Sequence, residues 1–179
     1  MEKRKYRYPY IVITGPESTG KTELAAQLAQ SLNCKWIPEL SREYIARLGR
    51  PYQYSDVEEI ACLQIARFTD ELLPESGFAV FDTGLIITKV WFDVVYKKCP
   101  DWLVKAIQQQ PKVFHLVCNT DLPWIADPVR ENGGEMREKL LETYQHELRK
   151  FGFPYALVSG TDELRLQNAR TILDKELYY

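Results

Sequence analysis

Short apolar runs of five or six residues alternate along the chain with longer stretches in which apolar positions recur every three or four residues. The runs Tyr10–Thr14, Cys34–Pro38, Phe78–Asp82, Val113–Cys118 and Tyr155–Ser159 predict strands. Helical spacing predicts helices over Lys21–Asn33, Asp56–Leu73, Leu85–Lys97, Trp102–Gln109, Glu135–Phe151 and Asp162–Leu177. In the first of these, Leu24, Ala25, Leu28, Ala29 and Leu32 form one stripe. Pro100, Pro111 and Pro154 fall between elements, where chain breakers belong. Alternation of strand and helix predicts an α/β fold, a five-stranded parallel sheet with helices on both faces. No linker, repeat or low-complexity segment divides the 179 residues. One domain over residues 1–179 is expected, with residues 1–9 as a flexible tail.

In such a sheet ligands gather at the carboxyl ends of the strands, and there polar residues interrupt the apolar pattern. The first interruption is Gly15-Pro16-Glu17-Ser18-Thr19-Gly20-Lys21-Thr22, which fits G-x-x-x-x-G-K-[ST] at every fixed position. It lies between a predicted strand and a predicted helix, the context in which this pattern cradles phosphates. Its backbone N–H groups are expected to converge on a nucleoside triphosphate, with the chain forming a P-loop NTPase fold. Lys21 would bring charge to the β- and γ-phosphates, and the Thr22 hydroxyl would ligate Mg²⁺.

Asp82 closes the third strand, where phosphate-loop proteins hold Mg²⁺; the structural alternative is that Asp82 or Thr83 caps the next helix. Thr83 stands where motor ATPases carry a second acidic residue, which argues against a mechanical ATPase. After strand two, Glu39 and Arg42 face the acceptor side. A carboxylate there would orient an acceptor hydroxyl and take its proton, and Arg42 would clamp the acceptor or the migrating phosphoryl group. A solvated first helical turn is the plainer reading of the same residues.

Residues 121–134 form a long loop with two prolines and two glycines, a length that points to function. Arg130 suits a lid over the phosphates, and Arg137 either joins it or pairs on a helix surface. Trp124 is either a hinge anchor or a plate for a flat ring, and Asp127 is placed with the substrate. Arg165, following Gly160, would stack on adenine or simply open a helix. His115 is expected as a satisfied strand residue and His146 as helix surface.

Charge changes the picture by exclusion. With 23 basic and 25 acidic side chains the formal charge is −2, so no overall positive field recruits nucleic acid. The basic run Lys3-Arg4-Lys5 with Arg7 is expected to be solvated. Cys34, Cys62, Cys99 and Cys118 include no C-x-x-C pair. Neither a signal peptide nor an apolar run near the ~20 residues of a membrane span is present, and a cytoplasmic location is expected. Asn119-Thr120-Asp121-Leu122 lacks the lysine of the guanine-reading N-K-x-D, so a GTPase is disfavoured. The base itself, adenine or guanine, stays open.

Taken together, GPESTGKT, IPELSREY, FDTGLIITKVW, DLPWIADPVREN and a final Gly-x-x-x-x-Arg resemble the ribosylnicotinamide kinase domain of NadR-type proteins. The resemblance runs from about Ile11 to Arg170. It implies ATP- and Mg²⁺-dependent phosphorylation of nicotinamide riboside at its 5′-hydroxyl, giving nicotinamide mononucleotide. It further implies that Gly15–Thr22 hold the triphosphate, that Asp82 serves the metal or the hydroxyl, and that Arg130 serves the lid; Trp91 and Trp124 fall in its acceptor region. Glu39 and Asp82 both remain candidates for the base. Two positions depart from the family pattern: Gly84 replaces an acidic residue and Pro128 replaces a glycine. No H-x-G-H motif occurs, so the adenylyltransferase and repressor activities of larger relatives are not carried over. Two alternatives stay open: a kinase of another nucleoside or small metabolite, and a nucleotide-binding regulatory ATPase acting through a partner.

Overall fold

In a computed structural model, which describes residues 6–68, 78–126 and 132–177, β1 (Tyr10–Thr14) is buried at all five positions. It pairs in parallel on both sides, with β3 (Ala79–Asp82) and with β4 (Val113–Cys118). β2 (Lys35–Ile37) extends the sheet beyond β3, and β5 (Tyr155–Val158) extends it beyond β4. All pairings are parallel and the order is β2-β3-β1-β4-β5. Alternate β1 side chains serve opposite faces, as the two-residue strand period requires. Ile11 and Ile13 pack with Leu24 and Leu28 of α1 (Lys21–Ser31) and with Ala169 and Leu173 of α7 (Asp162–Glu176). Tyr10 and Val12 face the other way, towards Ile37 and Phe81. Beside them Val117 joins a second core, shared with α3 (Tyr54–Ala66), α4 (Leu85–Trp91), α5 (Asp101–Gln108) and α6 (Glu135–Phe151). Leu24 and Leu28 are at most 2% exposed, and each contributes about 1.5–3 kcal/mol by leaving water.

Three elements differ from the sequence expectation, each for a local reason. α2 (Ser41–Leu48) is not among the predicted helices, and the sequence reads its residues as at most a solvated first helical turn; Tyr44, Ile45 and Leu48 form a short stripe at helical spacing, but none of its residues is buried. α3 begins at Tyr54 because a capping box starts it, with Gln53 and Asp56 bonding each other's backbone N–H. Arg50 adds a two-bonded ion pair to Asp56; residues 69–73 of the expected helix lie outside the described residues. The helix expected over Leu85–Lys97 is α-helical to Trp91 and then opens into a π-helical turn, Phe92–Tyr96. The amino-terminal stretch also departs from the expected tail. Tyr6 packs on Phe78, Tyr8 packs on Phe114, and the Arg7 N–H donates to the Leu177 carbonyl at 2.8 Å.

Candidate active site

The phosphate loop is shaped by two close approaches. At Gly15 φ is 143°, and a Cβ there would lie 2.9 Å from the Cys118 carbonyl oxygen, so glycine lets the loop lean on the end of β4. Gly20 stands in the left-handed region and opens α1 with no side-chain cap, leaving the first N–H groups of that helix facing the loop. Lys21 Nζ donates to the Pro16 carbonyl at 2.7 Å, and Thr19 Oγ1 donates to the same oxygen at 2.8 Å. The ammonium therefore already crosses the concave side of its own loop.

Asp82 sits beside this loop, 2% exposed, and neither carboxylate oxygen has a hydrogen-bond partner among the described residues. The Thr22 hydroxyl and the Glu39 N–H approach it without reaching hydrogen-bond geometry. Burial pushes its pKa up; Thr22 draws it down, the Glu39 carboxylate pushes it up again, and Lys21 draws it down, leaving a net rise. The capping alternative is not observed, since the N-cap of α4 is Gly84 and no side chain caps the helix. An unpartnered buried carboxylate beside a hydroxyl fits a cation. The described residues hold no group of three metal-ligating side chains. Mg²⁺ suits that donor set, because it takes few protein ligands and completes its shell with phosphate oxygens and water.

A cleft of about 710 Å³ runs from the phosphate loop towards α2 and α4. Glu39 and Arg42 line it, and Glu39 accepts a 2.6 Å hydrogen bond from Ser41 Oγ. The same cleft has an apolar wall of Ile45, Tyr52, Ile87, Val90, Trp91 and Val94, with Tyr52 and Trp91 edge to face at 4.9 Å. Of this wall the sequence reading singled out only Trp91. For Ile87 and Val90 the signal was LIITKVW, a helix apolar on most sides and therefore buried or wall-forming.

The base of the long loop is fastened to the phosphate loop. Ser18 Oγ donates to the Pro123 carbonyl at 3.3 Å and accepts from the Ile125 N–H at 3.0 Å; Glu17 accepts from the Asn132 N–H at 2.9 Å. Arg137 is 6% exposed and donates to the carbonyls of Leu122 (2.9 Å) and Ser18 (3.2 Å), so it is a buried tie and not a surface pair. The Arg137 guanidinium lies 5.9 Å from the Trp124 ring centre, and that ring also covers Gly133. Trp124 thus stands as an anchor of the loop, away from the cleft lining. Asp127, Pro128 and Arg130 lie outside the described residues.

Arg165 departs from the expected base-stacking role. It is 3% exposed, and its guanidinium binds the carbonyls of Thr19, Gly160 and Asn119 and the carboxylate of Asp121. With every arm engaged by protein, it braces the phosphate loop from behind. His115 is only half satisfied: Nδ1 meets Thr14 Oγ1 at 2.8 Å, Nε2 has no partner among the described residues, and burial draws its pKa down to about 3.

A family model described as AAA domain (AAA_28) matches residues 10–165. No curated protein matches the chain by sequence. Among solved structures, the chain is similar to NadR protein in complex with NR, at TM-score 0.72 and 18% identity over 94% of this chain and 50% of that one. NadR in complex with NAD and AMP-PNP gives 0.71 and 19%, over 94% and 49%. The chain therefore spans about half the length of these NadR chains. Deoxyadenosine kinase from M. mycoides, with products dCMP and dCDP bound, matches at TM-score 0.65 and 13% identity over 93% and 99%. At such identities the likeness is one of fold, the five-stranded parallel sheet of P-loop kinases. No helix among the described residues is long and apolar enough to cross a membrane. Because the matched span 10–165 takes in all five strands and the whole phosphate loop, the chain belongs to the AAA domain family.

Proposed function

We propose that the protein transfers the γ-phosphoryl group of ATP to the 5′-hydroxyl of nicotinamide riboside, giving nicotinamide mononucleotide and ADP. One observation carries this reading: a single cleft has the phosphate loop at one end and, at the other, Glu39 with the Tyr52–Trp91 wall. The fold likeness to NadR with NR, and to NadR with AMP-PNP, supports the same pairing of ligands. In this reading the N–H groups of Gly15–Thr22 hold the triphosphate, and Lys21 exchanges the Pro16 carbonyl for the β- and γ-phosphates. Thr22 and Asp82 would hold Mg²⁺, which when bound neutralises charge on the phosphate oxygens.

Asp82 lies below the cleft surface, whereas Glu39 lines it, so Glu39 is the carboxylate assigned to the acceptor. Glu39 orients the hydroxyl and takes its proton as the new O–P bond forms and the bond from phosphorus to the ADP oxygen breaks. Arg42 steadies the acceptor or the migrating group, and Trp91 offers a face to a flat ring. Arg130 and Asp127 keep their sequence-assigned roles as lid charge and acceptor contact.

A second reading, a kinase of another nucleoside, is favoured by one observation. A Cβ at Gly84 would lie 2.9 Å from Val12 Cγ1, so this chain has no room for the acidic residue that the family pattern places there. ADP release with ATP and Mg²⁺, with and without a panel of nucleosides, separates the readings when the product is weighed by mass spectrometry. Stimulation by nicotinamide riboside, with the mononucleotide formed, is the expected result. Stimulation by a different nucleoside alone moves the assignment to it, and no stimulation by any moves it to a kinase of another small metabolite or to a regulatory ATPase.

A further inference from the structure

Lys89 is 6% exposed and stands within an otherwise apolar core. Its Nζ lies 2.6 Å from Asp93 Oδ2, one turn along in the π-helical segment, and 2.6 Å from Glu147 Oε2 on α6. The Asp93 contact is a hydrogen bond; the Glu147 contact is an ion pair whose oxygen lies off hydrogen-bond direction. Lys150 approaches the other Glu147 oxygen at 3.8 Å, so two positive and two negative groups balance. Burial disfavours the Lys89 charge, and the Asp93 and Glu147 carboxylates more than offset this, raising its pKa. On its other side α4 is pinned again: Thr88 Oγ1 donates to Gln64 Oε1 of α3 at 2.6 Å, both residues buried.

A buried ion pair seldom adds stability over apolar residues of similar volume, so its retention points to fixing one geometry. The geometry fixed here belongs to the cleft. Val90, Trp91 and Val94 come from α4 and its π-helical continuation, and Leu140 and Tyr144 come from α6; all five line it. Tyr144 stands one turn before Glu147 on the same face of α6. We propose that Lys89 is a positioning residue: by joining Glu147 across the α4–α6 interface and Asp93 within the π-helical turn, it sets the acceptor wall of the cleft. The inference rests on the kinase reading for its kinetic consequence. It predicts that loss of the strut weakens acceptor binding and leaves the phosphate-loop end alone.

The test compares wild type with K89R and with the double variant K89M/E147M, which removes both charges so that neither is stranded in the core. The acceptor is whichever nucleoside the wild type phosphorylates. The double variant is expected to raise its KM at least tenfold while the KM for ATP stays within twofold, and K89R is expected to recover most of the loss. In protein labelled with 5-fluorotryptophan, the Trp91 resonance, assigned by its loss in W91F, is expected to move in the double variant. An acceptor KM within twofold of wild type, or an unmoved Trp91 resonance, overturns the proposal, whatever the melting temperature does. If the wild type phosphorylates no nucleoside, the kinase reading fails by itself, and the Trp91 resonance still decides the strut.

Discussion

A carboxylate that is 2% exposed and lacks a partner among the described residues destabilises the fold wherever it is charged. For Asp82 the folded pKa is raised, so the penalty is present above that pKa and is relieved as pH falls through it. D82N is therefore expected to melt higher than wild type at neutral pH while losing transfer by a factor on the order of 10²–10³. Unchanged kinetics in D82N would remove Asp82 from the site. His115 works in the opposite direction. Its folded pKa of about 3 lies below the ordinary value of 6.5, so the unfolded chain takes up the proton first and stability is lost as pH falls below about 6.5. Between pH 7 and pH 5 this costs about 2 kcal/mol, read as a falling melting temperature that H115Q should flatten. Lys21 and Asp82 were legible in the sequence because each stands at a fixed offset from a strand end. Arg165 was not, because a buried arginine that ties three loops has the same local sequence as one that opens a helix.

Strands and helices were legible where the apolar period was strong, as in β1, β4 and α6, whose boundaries coincide with the pattern. α2 was legible only as a solvated first turn because its stripe of Tyr44, Ile45 and Leu48 is short and only half-buried, and the π-helical turn was not legible because one extra residue per turn leaves no mark in a short apolar run. The junction between β3 and α4 is tighter than any pattern reveals. Thr83 takes a left-handed φ of 69°, a costly state for a β-branched residue, directly after Asp82. Gly84 follows, with Val12 Cγ1 occupying the place of its missing Cβ. Val12 is 1% exposed on the central strand and has little room to retreat. G84A is expected to lower stability by about 1–3 kcal/mol, read from the urea midpoint, through overpacking. Shortening the partner in V12A/G84A should recover part of the loss, a coupling that independent effects would not show.

Across the whole molecule, the rim of strand ends predicted from the sequence does gather Gly15–Thr22 and Glu39 in one cleft. Most of its apolar wall was not legible, because Ile45 of α2, Tyr52 of the connection before α3 and Tyr144 of α6 reach it from three segments that only tertiary packing brings together. Two buried charged clusters brace the cleft from behind, one at each end. Arg165 ties Thr19 of the phosphate loop to Asn119, Asp121 and Gly160, while Lys89 ties α4 to α6. The clusters share no partner, so the two ends should be separable in kinetics. R165M removes the brace without touching the cleft wall and is expected to raise the KM for ATP about tenfold, about 1.4 kcal/mol, with the acceptor KM unchanged. Combined with K89M/E147M it should show both losses, added in free energy to within about 0.5 kcal/mol. Strong coupling between the two changes would mean that the cleft moves as one body, and the separate assignment of its ends would then fail.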